Sequence, residues 1–136
     1  MSNQPKKVFL PIAPEVELVG KAVLDAAFKV HTALGPGLLE SVYETVLAYE
    51  IRKGGLLVAT QVALPIIYDG TTLESGLRLD MLVEKSVIVE LKSVENMNPV
   101  YEAQLMTYLR LSGVRLGFLI NFNIPHLKDG IKRMVY

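Results

Sequence analysis

Two short apolar segments with embedded charged residues lie in the middle of the chain. The segment Leu77–Val83 reads Leu-Arg-Leu-Asp-Met-Leu-Val, and the segment Val87–Lys92 reads Val-Ile-Val-Glu-Leu-Lys. This composition predicts two strands of a β-hairpin, in which successive side chains point to opposite faces. One face then carries Leu77, Leu79, Met81, Val83, Val87, Val89 and Leu91, and the other carries Arg78, Asp80, Leu82, Ile88, Glu90 and Lys92.

A turn about Lys85 would set the register of these strands. In a symmetric turn, residues at equal distances from Lys85 lie opposite each other, so Asp80 faces Glu90 and Arg78 faces Lys92. This register also brings the apolar faces together, which is what fixes pairing in a half-buried hairpin. A bulge in either strand would shift the pairing.

The predicted face of the hairpin has two chemical interpretations. Two opposed carboxylates repel each other, so a positive charge between Asp80 and Glu90 would stabilise the pair. A divalent cation suits their hard oxygen atoms, and Lys92 could then hold a water or stabilise charge on a phosphate. Alternatively, the face is an ordinary polar sheet surface on which Lys92 and Arg78 pair with the acids. Spacing alone leaves both interpretations open.

The rest of the chain predicts one α/β domain. Its 136 residues suit a single compact unit. We expect residues 1–13 to form a flexible N-terminal arm and residues 14–136 to form the domain. The periodicity predicts the order α-α-β-β-β-α-β with a mixed sheet. The predicted elements are helices from Glu15 to about Leu34, Leu38–Lys53 and Pro99–Leu111, and strands Leu57–Tyr68, Leu73–Val83, Ser86–Leu91 and Val114–Phe122, followed by a turn near Pro125–Gly130 and a closing segment, Ile131–Tyr136.

Composition restricts the possible functions. The chain has no cysteine, which excludes disulfides and thiolate metal sites and favours a reducing compartment. Its formal net charge is zero, which argues against a protein that coats nucleic acid without regard to sequence. There is no signal peptide and no apolar run long enough to span a membrane, so we expect a soluble cytoplasmic protein.

Helical spacing adds further candidate residues. Glu40 and Tyr43 share one face of the second helix, and Gln104 and Tyr108 share one face of the third. Each also has a structural interpretation, as a charge at a helix N-terminus or as helix surface. Neither histidine has a partner at metal-ligand spacing, and no phosphate-binding glycine loop or serine nucleophile motif is present.

Taken together, these motifs resemble the GxxExxY proteins of the PD-(D/E)XK nuclease-like superfamily. The run Gly37–Tyr43 resembles the motif that names the family. The resemblance continues, in order, through four later segments and covers the chain from about Leu18 to its C-terminus. These segments are Arg78–Asp80, Val89–Lys92, Gln104–Tyr108 and Gly117–Phe122, with a last match at Gly130–Arg133.

The resemblance implies an αβββαβ core with a central mixed sheet flanked by helices, and a role for each motif residue. Asp80, Glu90, Lys92 and Glu40 would be catalytic, and the three acids would bind Mg²⁺ or Mn²⁺. Leu79 replaces the usual proline before the aspartate, and Tyr101 stands where many relatives have histidine. Gln104 and Tyr108 would position nucleic acid, and the further candidates for nucleic-acid binding are Arg78, Arg133 and Tyr43.

The sequence supports two hypotheses. The first is a metal-dependent nuclease that hydrolyses phosphodiester bonds, with DNA favoured over RNA as the partner. The second is a catalytically silent binding or assembly module on the same fold, because a fold does not determine a function. The zero net charge favours the second hypothesis, and a homodimer is possible in either case.

Overall fold

A computed structural model describes residues 10–136 of the chain. It confirms the predicted single α/β domain and the order of the predicted elements, and the closing segment forms a fifth strand that was not predicted. Most of the predicted N-terminal arm lies outside the described residues. The helices are α1 (Pro14–Leu34), α2 (Glu40–Lys53) and α3 (Val100–Ser112), and the strands are β1 (Val58–Tyr68), β2 (Thr71–Val83), β3 (Val87–Lys92), β4 (Leu116–Asn121) and β5 (Ile131–Val135), with a 3-10 turn at Leu127–Gly130.

The five strands form one mixed sheet in the order β1-β2-β3-β4-β5. β3 and β4 are parallel, and the other neighbours are antiparallel. A parallel pair needs a crossover connection, and α3 provides it between β3 and β4. Among the helices of the described part, none is long and apolar enough to cross a membrane.

Two hydrophobic clusters cover the two faces of the sheet. One joins α1 and α2 to the side chains of Val87, Val89 and Leu91 on β3. The other joins α3 to Ile88 and, on β4, Leu119. β3 therefore alternates regularly between two buried faces, which explains its almost continuous run of aliphatic residues.

The predicted hairpin register is confirmed near the turn and ends before the carboxylates. Met81 pairs with Val89 and Val83 pairs with Val87, symmetrically about Lys85. The regular pairing of β2 with β3 stops at Met81. The predicted backbone pairs of Asp80 with Glu90 and of Arg78 with Lys92 are therefore wrong, since β2 leaves the regular ladder at Asp80.

The predicted common apolar face is also wrong for one half of β2. Leu77 and Leu79 pack in the cluster on the α3 side, whereas Met81 and Val83 pack on the side of α1 and α2. A regular strand would keep all four on one face. The strand therefore reverses its faces at Asp80.

The loop between α1 and α2 is held by Tyr43. Its ring is fully buried and stacks on Phe122, with the ring centroids 4.6 Å apart. Its hydroxyl donates to the carbonyl of Gly35 and accepts from the backbone N–H of Leu38. These two bonds tie down the loop that leads directly into Glu40.

Replacing Tyr43 by Phe should destabilise the domain by about 1–2 kcal/mol, because the change leaves two partly buried backbone groups without their partner. Urea denaturation would measure the loss. The matched control is Tyr49→Phe on the same helix, where the side chain is 62% exposed and the change should stay within about 0.5 kcal/mol. Equal stabilities for the two variants would contradict this account of the loop.

Candidate active site

The candidate site lies at the carboxyl end of β3. Glu90 and Lys92 occupy the last alternating positions of this strand, both on the face toward α3. The N-terminus of α2 approaches the same end of the strand through Glu40. α3 follows the strand after a short loop and places Tyr101 beside Lys92. Three elements therefore meet where β3 ends.

Asp80 and Glu90 are linked by hydrogen bonds that cross between β2 and β3. The backbone N–H of Asp80 donates to Oε1 of Glu90 at 3.1 Å. The backbone N–H of Leu91 donates to Oδ2 of Asp80 at 3.0 Å. Each carboxylate thus accepts from a backbone group of the opposite strand, at the point where the regular ladder has ended.

The environment of Glu90 strongly disfavours its negative charge. Its side chain is only 5% exposed. Burial, then the charge of Asp80 and a side-chain hydrogen bond to it, raise the pKa of Glu90 from 4.5 to about 9. The Asp80 N–H and the charge of Lys92 offset part of this effect. In the absence of a bound cation, Glu90 is therefore protonated at neutral pH.

Lys92 packs against an aromatic ring near Glu90. Its ammonium nitrogen lies 4.4 Å from the centre of the Tyr101 ring, a favourable cation–π distance. Its charge also acts on Glu90. The side chain is partly buried, and the Tyr101 ring restricts the position of its ammonium.

Glu40 lies at the rim of the site. Its Oε1 accepts from the backbone N–H of Ser93 at 3.4 Å, next to Lys92. An open cleft beside it is lined by Leu38, Leu39 and Ser93. Within residues 10–136, no group of three or more acidic, histidine or cysteine side chains is arranged to hold a metal ion. The structure brings Asp80 and Glu90 together and does not gather Glu40 into a three-carboxylate cluster with them.

The third helix directs Tyr108 toward the two carboxylates. Burial, together with the charges of Glu90 and Asp80, raises the pKa of Tyr108, while a hydrogen bond with Gln104 acts in the opposite direction. Gln104 itself is exposed. The predicted pair on α3 therefore borders the carboxylates, with Tyr108 inside and Gln104 toward solvent.

Three further residues were predicted to contact nucleic acid. Arg78 is exposed on β2 and donates to the carbonyl of Gln61 at 3.3 Å. Arg133 lies on the edge strand β5 and forms an ion pair with Glu17. Tyr43 is fully buried and presents no surface to a ligand. Arg133 and Tyr43 are therefore occupied elsewhere, whereas Arg78 lies exposed two residues before Asp80.

Two residues near the site had no assigned role in the sequence. Asn121 is 3% exposed; it accepts from the N–H groups of Val94 and Asn123 and donates to the carbonyl of Val94. It thereby fixes the loop after β3. In the sequence, the only indication of this role is that Asn121 is a single amide residue at the end of an apolar strand. Glu44 lies one helical turn after Glu40 and also faces the site. In the sequence, this four-residue spacing indicates that the two acids share one helix face.

Burial raises the pKa of Glu44, and the charges of Asp80 and Glu40 raise it further, whereas a hydrogen bond from Gln61 lowers it. Glu44 therefore lies close enough to both acids to feel their charge. The site thus concentrates negative charge at one end of the sheet. Hard carboxylate oxygens of this kind are the donors that Mg²⁺ and Mn²⁺ prefer, so the donor chemistry of Asp80 and Glu90 fits a divalent ion.

Comparison with known protein families agrees with the fold. The family model described as the PD-(D/E)XK nuclease superfamily matches residues 17–134. The chain belongs to this superfamily, whose nucleases generally use divalent metal ions. No curated protein and no solved structure matches the chain significantly.

The protonation of Glu90 predicts how stability depends on pH in the presence of a chelator. Between pH 4.5 and about 9 the folded protein holds a proton on Glu90 that the unfolded chain has lost. The stabilisation is complete below pH 4.5 and is lost as pH rises toward 9, at about 1.4 kcal/mol per pH unit from this group. Glu90→Gln should remove this slope and be more stable than the wild type at pH 8.

Denaturation in EDTA between pH 6 and pH 9 would measure both slopes. Glu95→Gln provides a matched control, because Glu95 is exposed in the loop that follows β3. This variant should retain the wild-type slope. Identical pH dependence in the wild type and Glu90→Gln would show that Glu90 is ionised in the folded protein, contrary to the environment described.

Proposed function

We propose that this chain is a divalent-metal-dependent nuclease that hydrolyses phosphodiester bonds in nucleic acid, with DNA favoured. The observation that carries the proposal is the linked pair of Asp80 and Glu90 with the Lys92 ammonium beside it. The Gly37–Tyr43 segment supports placing the chain among the GxxExxY proteins of its superfamily.

In this proposal, Asp80 and Glu90 bind Mg²⁺ or Mn²⁺, and Glu40 contributes from the rim. A bound divalent ion supplies an acidified water and positive charge for the phosphate. To hold the ion, Glu90 would have to release its proton to solvent, because a ligating carboxylate must be ionised. Mg²⁺ often uses only one or two protein carboxylates together with substrate phosphate, so the pair is sufficient.

The remaining side chains act on the nucleic acid. Lys92, steadied by the Tyr101 ring, donates to a phosphate oxygen or holds the attacking water. Gln104 and Tyr108 contact the strand from α3, where they border the carboxylates. Arg133 is engaged with Glu17, so we leave it and the buried Tyr43 out of the binding set. Arg78, exposed on β2 two residues before Asp80, is the remaining candidate for a phosphate contact.

A second candidate function is assembly on an unreactive nuclease fold. The observation that favours it is the apolar tip of the β1–β2 hairpin, where Ile67 and Tyr68 are each 72% exposed and Leu73 is 47% exposed. Exposed apolar groups concentrated at one place are typical of interaction surfaces. A stable homodimer without metal binding would support this candidate over the nuclease.

Metal binding tests the carboxylate pair directly. We expect Mn²⁺ to bind the wild type in calorimetry, and Asp80→Asn to weaken binding at least about tenfold, because a charged ligand becomes a neutral one. Affinity should increase with pH up to about 9 as Glu90 loses its proton. Asp69→Asn is the control, because it makes the same change in the exposed β1–β2 turn. An absence of binding to the wild type would overturn the proposal.

Cleavage assays test the role of Lys92. With Mn²⁺ and single- and double-stranded DNA, Lys92→Ala should reduce kcat by about 100-fold or more, because it removes a positive charge from the transition state. Lys53→Ala, at the exposed end of α2, should behave as the wild type. A wild type that cuts neither substrate, or equal rates for Lys92→Ala and the wild type, would refute the nuclease proposal.

A further inference from the structure

Gln61 in β1 lies opposite Asp80 at an interruption of the β1–β2 pairing. The ladder pairs Thr60 with Met81 and Val62 with Leu79, and it omits the two residues between them. Gln61 has a φ angle of 52°, in the left-handed region that side-chain-bearing residues rarely adopt. An unusual backbone conformation therefore faces the aspartate of the candidate site.

Both strands reverse their faces at this point. Val58 packs with α1 and α2, whereas Val62 and Leu64 pack in the cluster on the α3 side, although all three would share one face of a regular strand. β2 shows the same reversal on either side of Asp80. The left-handed residue in β1 thus coincides with a reversal of the whole ribbon.

The side chain of Gln61 is tied to the second helix. Its Nε2 donates to both carboxylate oxygens of Glu44, at 3.1 and 3.3 Å. Glu44 lies on α2 between the buried residues Tyr43 and Leu47, so its backbone is fixed by the core. The tie therefore connects the reversal in β1 to a rigid part of the molecule.

We propose that Gln61 and Glu44 are positioning residues that hold the ribbon reversal and thereby place the Asp80 carboxylate beside Glu90. Asp80 lies outside regular pairing with both of its neighbouring strands, so the ladder alone does not define its position. The contact of Gln61 with Glu44 supplies the missing restraint from the other side of β2. The consequence for metal binding rests on the proposed nuclease function.

Substitutions at the two positions separate the effects of the Gln61 backbone conformation, the Gln61–Glu44 hydrogen bonds and the Glu44 charge. Gln61→Gly keeps access to the left-handed conformation and removes the tie to Glu44. Gln61→Val removes the tie and also disfavours the conformation, because a branched side chain tolerates positive φ poorly. Glu44→Ala removes the tie from α2. Glu44→Gln keeps a carbonyl oxygen that can accept from Gln61 while removing the charge. Glu74→Ala, exposed on β2 beyond the reversal, is the control.

The first readout is affinity for Mn²⁺ alone, measured on variants whose melting curves show that they are folded. Residues that orient a metal ligand typically change affinity by about 10- to 100-fold. We expect Gln61→Val to weaken binding about tenfold or more, with smaller losses in Gln61→Gly and Glu44→Ala. The double variant Gln61→Gly/Glu44→Ala should be no weaker than the worse single variant, because both remove one contact. Glu44→Gln, which keeps the contact with Gln61, should lose less affinity than Glu44→Ala, and Glu74→Ala should bind as the wild type.

The second readout does not need a metal. The N–H of Leu91 donates to Asp80, so its hydrogen exchange reports the position of that carboxylate. Exchange at Leu91 should be at least about tenfold faster in Gln61→Val and Glu44→Ala, as expected for a locally released amide. Exchange at Phe122, whose N–H donates to the carbonyl of Lys92, should not change.

The two readouts distinguish failure of this inference from failure of the nuclease proposal. Unchanged exchange at Leu91 in Gln61→Val and Glu44→Ala would overturn the positioning role, whatever the metal does. Faster exchange together with no Mn²⁺ binding by the wild type would support the positioning role and refute the metal site. Additive losses of affinity in the double variant would show that Gln61 and Glu44 act separately.

Discussion

The structure depends on the close approach of two carboxylates where the pairing of β2 with β3 ends. Asp80 and Glu90 take hydrogen bonds from the backbone of each other's strands, in the place where ladder bonds would continue. Because Glu90 is buried beside the Asp80 carboxylate, the negative charge of Glu90 is strongly disfavoured. The metal-free fold meets this constraint with a proton on Glu90, and a divalent cation would meet it in the function proposed.

The surrounding architecture keeps this unfavourable arrangement in place. β3 is buried on both faces by two separate clusters, so the strand that carries Glu90 and Lys92 is rigid. The stack of Tyr43 on Phe122 fixes the start of α2, and Asn121 fixes the loop that leads to α3. The free energy of packing in the core therefore offsets the cost of the strained backbone and of the two neighbouring carboxylates, as is common at functional sites.

Periodicity in the sequence predicted the strands and which side chains share a face. At the site, the alternation of faces reverses where Gln61 adopts a left-handed backbone conformation. Alternation along β3 correctly placed Glu90 and Lys92 on one face, and symmetry about Lys85 predicted the register near the turn. The reversal at Asp80 was not predictable, because a glutamine within a Val- and Leu-rich strand carries no indication of positive φ. The hydroxyl of Tyr43 likewise forms hydrogen bonds with residues outside α2. Spacing along the helix could not show whether this hydroxyl contacts the protein or a ligand.

A site with two gathered carboxylates has a consequence for how the proposed nuclease would meet its substrate. With Glu40 at the rim, Asp80 and Glu90 would leave most positions around a divalent ion to water and phosphate. In the function proposed, metal and nucleic acid would then strengthen each other's binding, and such coupling is reciprocal by thermodynamic necessity. This coupling would let a chain with no net charge act on a polyanion, because the ion would supply the attraction at the site.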